Sequence, residues 1–208
     1  MDQARLLRVY RRWAPIYDAL VGPLASRPRR RVMTALELRP GDRLVIPGCG
    51  TGLDLPLLPE GVRVVALDLS SEMLERARRK RTRARVELRL GDAMALDLPE
   101  ASFDAALLNL IVAVAPDGAR VITEALRVLR PGGRMVIFDK FLPDARAPGP
   151  LRRRLGAIVD RLGTDPNRRL GDLLGDRHGL VVSDEPAGGP YRIVVLRKPG
   201  EPTDGLGL

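Results

Sequence analysis

The chain is poor in the residues that build metal centres and redox sites. A single cysteine, Cys49, excludes an internal disulfide and any multi-cysteine metal cluster, so nothing in it points to an oxidising compartment. With only one histidine, His178, zinc has no ligand set either, and no metal is expected. Aromatic residues make up 3% of the chain, which leaves few surfaces on which nucleic-acid bases could stack. No apolar run reaches the length of a membrane span, and no leader with an apolar core opens the sequence. The expected location is therefore cytoplasmic, with peripheral association at the inner face of the cell membrane.

What is present is an ordinary apolar fraction, 45% of 208 residues, enough for one domain with a sizeable core. Only the stretch "PGEPTDGLGL" reads as a loose tail, giving an expected division into a basic arm (1–28), a domain (29–198) and a flexible tail (199–208). The charge is less ordinary. Lys and Arg number 35 against 26 acidic residues, a net charge of +9 that favours an anionic partner. Residues 1–31 carry +6 of it and residues 146–169 carry +5, so the excess reads as a binding face. A GC-rich genome or a hot habitat would account for the same arginine-rich composition.

Residues 2–13 separate cleanly at about 100° per residue. Leu6, Leu7, Val9, Tyr10 and Trp13 fall on one arc, and Arg5, Arg8, Arg11 and Arg12 on the other. Pro15 then interrupts this amphipathic helix. Beyond a basic linker, a helix is expected over 29–38, followed by short apolar strands in "RLVIP", "VRVVALD", "VELRLGD", "FDAALLNLIV" and "GGRMVIFD". Helical stretches lie between them: "SSEMLERARRKR" opens with a serine cap, and "DGARVITEALRVLR" runs into "PGG". "PLRRRLGAIVDRL" and "NRRLGDLLGD" read as helices, and "GLVVSDE" and "YRIVVLRK" as an antiparallel pair closing the sheet. The expected fold is α/β: a Rossmann-like, seven-stranded, mostly parallel sheet with helices on both faces and an N-terminal amphipathic helical arm.

The segment "VIPGCGTGLD" places Gly48, Gly50 and Gly52 directly after a strand, where a ligand can approach bare backbone and the start of a following helix. A dinucleotide fingerprint would need its third glycine at position 53, which is Leu53, so the spacing disfavours NAD. Twenty residues beyond Gly48, Asp68 ends the second strand, where a carboxylate can accept both hydroxyls of a ribose. "LGDAM" ends the third strand and puts Asp92 or the Ala93 N–H within reach of an adenine edge.

Together "VIPGCGTG", "ALDLS", "GDAMAL", "FDAALLNLI" and "LRPGGRMVIFD" resemble the successive motifs of class I S-adenosylmethionine-dependent methyltransferases, over roughly residues 30–197. The resemblance implies S-adenosylmethionine as cofactor and S-adenosylhomocysteine as product. It implies that Gly48, Cys49, Gly50 and Gly52 wrap the methionine moiety, and that Asp68 and Leu69 hold the ribose. Met73, Asp92 and Ala93 are then placed around adenine, and Asn109 at the substrate side. One departure stands out: the family often carries an acid two residues before the first glycine, where this chain has Ile46 followed by Pro47.

For the acceptor, "YRRWAPIYD", "DLPLLPEGVRV" and "FDKFLP" most resemble bacterial phospholipid N-methyltransferases and the related quinone-biosynthesis C-methyltransferases. The first implies transfer of methyl groups to phosphatidylethanolamine and its methylated intermediates, leading to phosphatidylcholine. A quinone or other small-molecule acceptor is the alternative, and RNA a more distant one. Arg5, Arg8, Arg11, Arg12 and Trp13 would meet an anionic membrane surface. Arg168, Arg169 and Arg152 to Arg154 would anchor a phosphodiester. Tyr17 is the leading substrate-facing residue, near the methyl donor, and Tyr191 offers a second aromatic face for a methylated cation. A proton acceptor could be Asp139, Tyr17 or water, while His178 reads as a surface turn residue. No nucleic acid is expected as partner, and a monomer is favoured.

Overall fold

The computed structural model describes residues 26–142 and 168–200. Helix α1 (Ser26–Leu36) leads into strand β1 (Arg43–Pro47), and a single 3₁₀ turn, Leu55–Leu57, connects it to β2 (Arg63–Asp68). Then come α2 (Ser71–Ala77), β3 (Arg85–Leu90), β4 (Phe103–Asn109), α3 (Gly118–Val128) and β5 (Leu129–Lys140). The described chain closes with α4 (Leu170–Leu174), a second 3₁₀ turn (Gly175–Leu180), β6 (Val181–Pro186) and β7 (Tyr191–Arg197). The seven strands lie in the order β3-β2-β1-β4-β5-β7-β6. Neighbours among β1 to β5 pair in parallel, while β7 runs antiparallel to both β5 and β6, as the closing hairpin requires.

The period of two along the central strands explains why both faces need covering. Leu44, Ile46, Ala105, Leu107, Val136 and Phe138 point to the face packed with Val32 and Leu36 of α1 and Leu74 and Ala77 of α2. Their neighbours Val45, Ala106, Leu108, Met135 and Ile137 point to the opposite face, where Val121, Ile122 and Ala125 of α3 and Leu170 and Leu174 of α4 lie. Each layer is apolar throughout, so the sheet is dry on both sides and its functional chemistry is pushed to the strand ends.

Several elements differ from the sequence reading. No α-helix follows the glycine loop; Pro56 at the start of the 3₁₀ turn and Pro59 shortly after it deny a longer helix its backbone donors. Helix α2 is capped as expected, with Ser70 Oγ accepting from the Met73 N–H at 3.2 Å, but it stops at Ala77, where the run of cations from Arg78 would stack like charges along it. "PGG" is not a boundary turn. It lies inside β5, and the register slips by several residues where Phe103 faces Leu129 and Ala105 faces Arg134. Helix α3 begins where Asp117 accepts from the Arg120 N–H at 2.9 Å. "NRRLGDLLGD" yields only the five residues of α4 before Gly175 turns the chain at a φ of 52°. The amphipathic arm, the stretch "PLRRRLGAIVDRL" and the residues beyond 200 lie outside the described residues.

Candidate functional site

The parallel strands end at one edge of the sheet, and the loops leaving β1, β2, β3 and β4 form a crevice there. Gly48, Gly50 and Gly52 have φ of 69°, 56° and 74°, a left-handed conformation that is costly for any residue with a Cβ. Their surroundings separate their roles. A Cβ on Gly48 would stand 2.5 Å from Ile111 Cδ1, and one on Gly52 would meet Leu55 and Ala77 at 2.8 and 2.9 Å. Gly52 is therefore bare because the loop packs on the core. A Cβ on Gly50 would have nothing within 4 Å, so Gly50 presents open backbone to the crevice.

Asp68, at the end of β2, ties this loop to the next one. Its Oδ2 accepts from the Gly50 N–H at 2.7 Å and its Oδ1 from the Ser70 N–H at 2.9 Å. Burial pushes its carboxyl above the usual range, and the N–H groups of Ser70, Gly50 and Leu69 only partly oppose that. With three N–H donors on it, the carboxylate keeps a lone pair for a ligand hydroxyl.

The crevice is open at its mouth and is lined by residues from α1 and from the loops after β1, β2, β3 and β4. Of the residues singled out from sequence, Gly48, Cys49, Gly50 and Asp68 line it, as do Leu69, Met73, Ala93 and Asn109. Asp92 does not. Its Oδ1 accepts from the Met94 N–H at 2.8 Å and shapes the turn that carries Ala93 into the wall. Cys49 is buried, and that burial, with the charges of Asp68 and Asp54 adding to it, drives its thiol far above its ordinary value.

The floor of the crevice is polar and was not legible in the motifs. Asp54 Oδ1 pairs with Arg29 Nη1 of α1 at 2.5 Å, and Asn109 Nδ2, at the end of β4, donates to Asp54 Oδ1 and Oδ2 at 2.7 and 2.9 Å. Arg29, Asp54 and Asn109 are 6%, 4% and 8% exposed, so three elements distant in sequence meet in a dry polar cluster that lines the cavity. Two of its atoms, Arg29 Nε and Asn109 Oδ1, are buried with no hydrogen-bond partner among the described residues. Leu110, the next residue, has a φ of 59° and also lines the crevice, the kind of local strain that gathers at ligand sites.

The remaining candidates fall elsewhere. Asp139 is fully buried, with Oδ2 accepting from the Ala113 N–H and Oδ1 from the Lys140 N–H, both at 2.8 Å. It braces the loop after β4 and is not among the cavity-lining residues, and burial raises its carboxyl. Tyr191 is half-buried against Phe138, with ring centroids 5.6 Å apart, and also lies outside the lining. Arg168 donates through Nη1 to the Val112 carbonyl at 2.7 Å and through Nη2 to those of Ala115 and Pro116 at 2.6 and 3.2 Å. That guanidinium clamps the loop between β4 and α3, a different task from the open phosphate anchor expected of it. Arg169 bridges through its backbone to Leu142 at the start of α4, and His178 is exposed on the second 3₁₀ turn. Arg5, Arg8, Arg11, Arg12, Trp13, Tyr17 and Arg152 to Arg154 lie outside the described residues.

Sequence reasoning missed Arg29, Asp54 and Ile111. The one local signal was Asp54 itself, an acid set among leucines in "GLDLPLL" directly after the glycines.

Residues 45–137 match the family model described as "Methyltransferase domain". The chain is 36% identical over 190 residues to a phosphatidylethanolamine N-methyltransferase of Cereibacter sphaeroides, covering 89% of this chain and 93% of that one. It is 34% identical over 167 residues to a demethylmenaquinone methyltransferase of Renibacterium salmoninarum, covering 74% of this chain and 68% of that one. A geranyl diphosphate methyltransferase solved in complex with S-adenosylmethionine shares the fold at a TM-score of 0.67 and 19% identity, over 89% of each chain. The crevice fits that cofactor: the open face of Gly50, the remaining lone pair of Asp68 and the unmatched polar atoms of the floor offer groups for backbone approach, ribose and amino-acid end in turn. With its parallel strands ending on this cradle, the chain belongs to the class I S-adenosylmethionine-dependent methyltransferases.

Proposed function

We propose that the chain methylates the amine of phosphatidylethanolamine and of its partly methylated products, working at an anionic membrane surface. The observation that carries this reading is the match to the Cereibacter phosphatidylethanolamine N-methyltransferase over nearly the full length of both chains. A cationic belt runs from Arg76 to Arg89, seven arginines and one lysine against Glu87, and it reaches the crevice end of the sheet only at Arg89, since Arg85 opens β3 beside Arg63 at the start of β2. Leu90, 66% exposed, follows directly, and Gly91 already lines the crevice. An exposed apolar residue thus stands next to the mouth of the site, suited to the acyl boundary of a lipid surface.

Bound S-adenosylmethionine supplies an electrophilic methyl group on a sulfonium. The chain's contribution is placement and exclusion of water: Asp68 and the glycine loop fix the nucleoside, and Leu110, Ile111 and Val114 supply an apolar wall beside it. The amine must arrive unprotonated so that its lone pair can form the new bond as sulfur keeps the old bonding pair. Among the described residues the carboxylates lining the crevice are Asp54 and Asp68, both already engaged in hydrogen bonds, so the proton is lost to water before the amine enters. In this reading the arm serves the same surface, with Arg5, Arg8, Arg11, Arg12 and Trp13 at the headgroups and Tyr17 over the methyl donor.

The test is transfer of radiolabelled methyl groups into liposomes of phosphatidylethanolamine, with and without phosphatidylglycerol, with products separated by chromatography. Labelled lipid that increases with the anionic component supports the proposal. Absence of labelled lipid from protein that binds both cofactor and vesicles overturns it. A demethylated quinone, assayed in parallel, is the second acceptor to try, because the Renibacterium relative carries that activity in its name.

A further inference from the structure

The family's usual acid at the end of the first strand is absent here, and Ile46 in its place is 1% exposed within the core. We infer that Arg29, Asp54 and Asn109 together take over its work and bind the zwitterionic amino-acid end of the cofactor. The unmatched atoms carry the argument. Among the described residues Arg29 Nε is a donor without an acceptor, and Asn109 Oδ1 is an acceptor without a donor, both buried on side chains that line the crevice. Leaving such atoms unpaired is costly, and a ligand that satisfies both removes the cost.

A cofactor's carboxylate matches the Arg29 N–H, and its ammonium matches the Asn109 oxygen beside the Asp54 carboxylate. Charge balances as well. Arg29 and Asp54 already neutralise each other at 2.5 Å, so a zwitterion enters without adding net charge to a dry site. Gly48 and Cys49 line the same cavity, which keeps the amino-acid end next to the loop expected to wrap it. Asp54 is a positioning residue as well as a ligand group, since it holds both Arg29 and the Asn109 Nδ2 amide.

Calorimetric titration of the full chain with two ligands tests this: S-adenosylhomocysteine, which has the amino-acid end, and 5′-methylthioadenosine, which lacks it. Asp54→Asn is expected to weaken S-adenosylhomocysteine binding about ten- to a hundredfold and to leave methylthioadenosine binding unchanged. Equal weakening of both ligands, or of neither, overturns the inference. Thermal melting shows whether Asp54→Asn is folded. If it is not, Arg29→Lys, which keeps the charge and removes Nε, decides the matter: the same selective loss supports the inference, and unchanged or uniformly altered binding overturns it.

Discussion

Arg127 lies across the buried Glu124 carboxylate, pairing with it at 3.0 Å and donating onward to the carbonyls of Leu96 and Leu98 at 2.7 and 2.9 Å. Glu124 in turn accepts from the Leu96 N–H at 3.0 Å. One pair on α3 therefore fastens the loop that leads away from β3 and the adenine wall. Glu124→Ala strands the guanidinium and the Leu96 N–H together, and is expected to cost about 2–4 kcal/mol in urea unfolding.

The same carboxylate sets a pH dependence. Burial acts to raise its pKa, but the hydrogen bond from Arg127, the Leu96 N–H and the charges of Arg127 and Arg120 outweigh burial and hold it below the usual range. A depressed value in the folded state means stability that is fully present above the ordinary carboxylate range and is lost as pH falls through the folded value. Acid unfolding monitored by circular dichroism is expected to lose this pH-dependent component in Glu124→Gln.

Asp68 has the opposite sign. Because its carboxyl is raised, its own contribution to folding is present below the ordinary range and is lost as pH rises through the raised value. Binding a ribose needs the ionised acceptor, so affinity for S-adenosylhomocysteine should decline as the solution is acidified from neutrality. Calorimetry across that range should show the decline in the parent chain and a flatter profile in Asp68→Asn, whose affinity is lower by about tenfold or more at neutral pH.

The glycines of the loop should divide by function. Gly50→Ala meets no neighbour and carries only the left-handed backbone penalty, about 1–2 kcal/mol, yet it places a methyl group where the cofactor approaches. Gly52→Ala carries the same penalty and also collides with Ala77 and Leu55. Denaturation midpoints should therefore fall further for Gly52→Ala, whereas cofactor affinity should fall further for Gly50→Ala relative to the stability lost.

Cys49 should be inert in the native protein. Burial keeps its thiol protonated at neutral pH, and the thiolate is the reactive species. A thiol-reactive dye is expected to label the chain on unfolding and to leave it unlabelled when folded.

The legible parts of the site were those encoded within one strand end. Three glycines after "VIP", and an aspartate closing "VVALD", are local patterns, and the parallel topology turns each into a wall of the same crevice. Contacts between distant segments were not legible. Arg29 and Asp54 are 25 residues apart and Asp54 and Asn109 are 55 apart, so only the sheet order brings them together. Asp139 lies one residue from the end of β5 and Asn109 ends β4, and nothing local in the sequence showed that the loop at Ala113 would fold over one and leave the other lining the cavity. The lost helix after the glycines had a visible cause, Pro56 and Pro59, which the expectation of a strand, loop and helix passed over.

Strand β3 forms one border of the sheet, and along it runs a row of backbone groups that another strand could join. At the other border, Asp184 and Glu185 of β6 are matched by Arg192 and Arg31, both at 2.6 Å. The β3 border has a surplus of guanidinium groups instead, so two copies meeting there would face like charges at close range. Concentrated salt would screen that repulsion, and the belt would then cease to guard the border against strand addition.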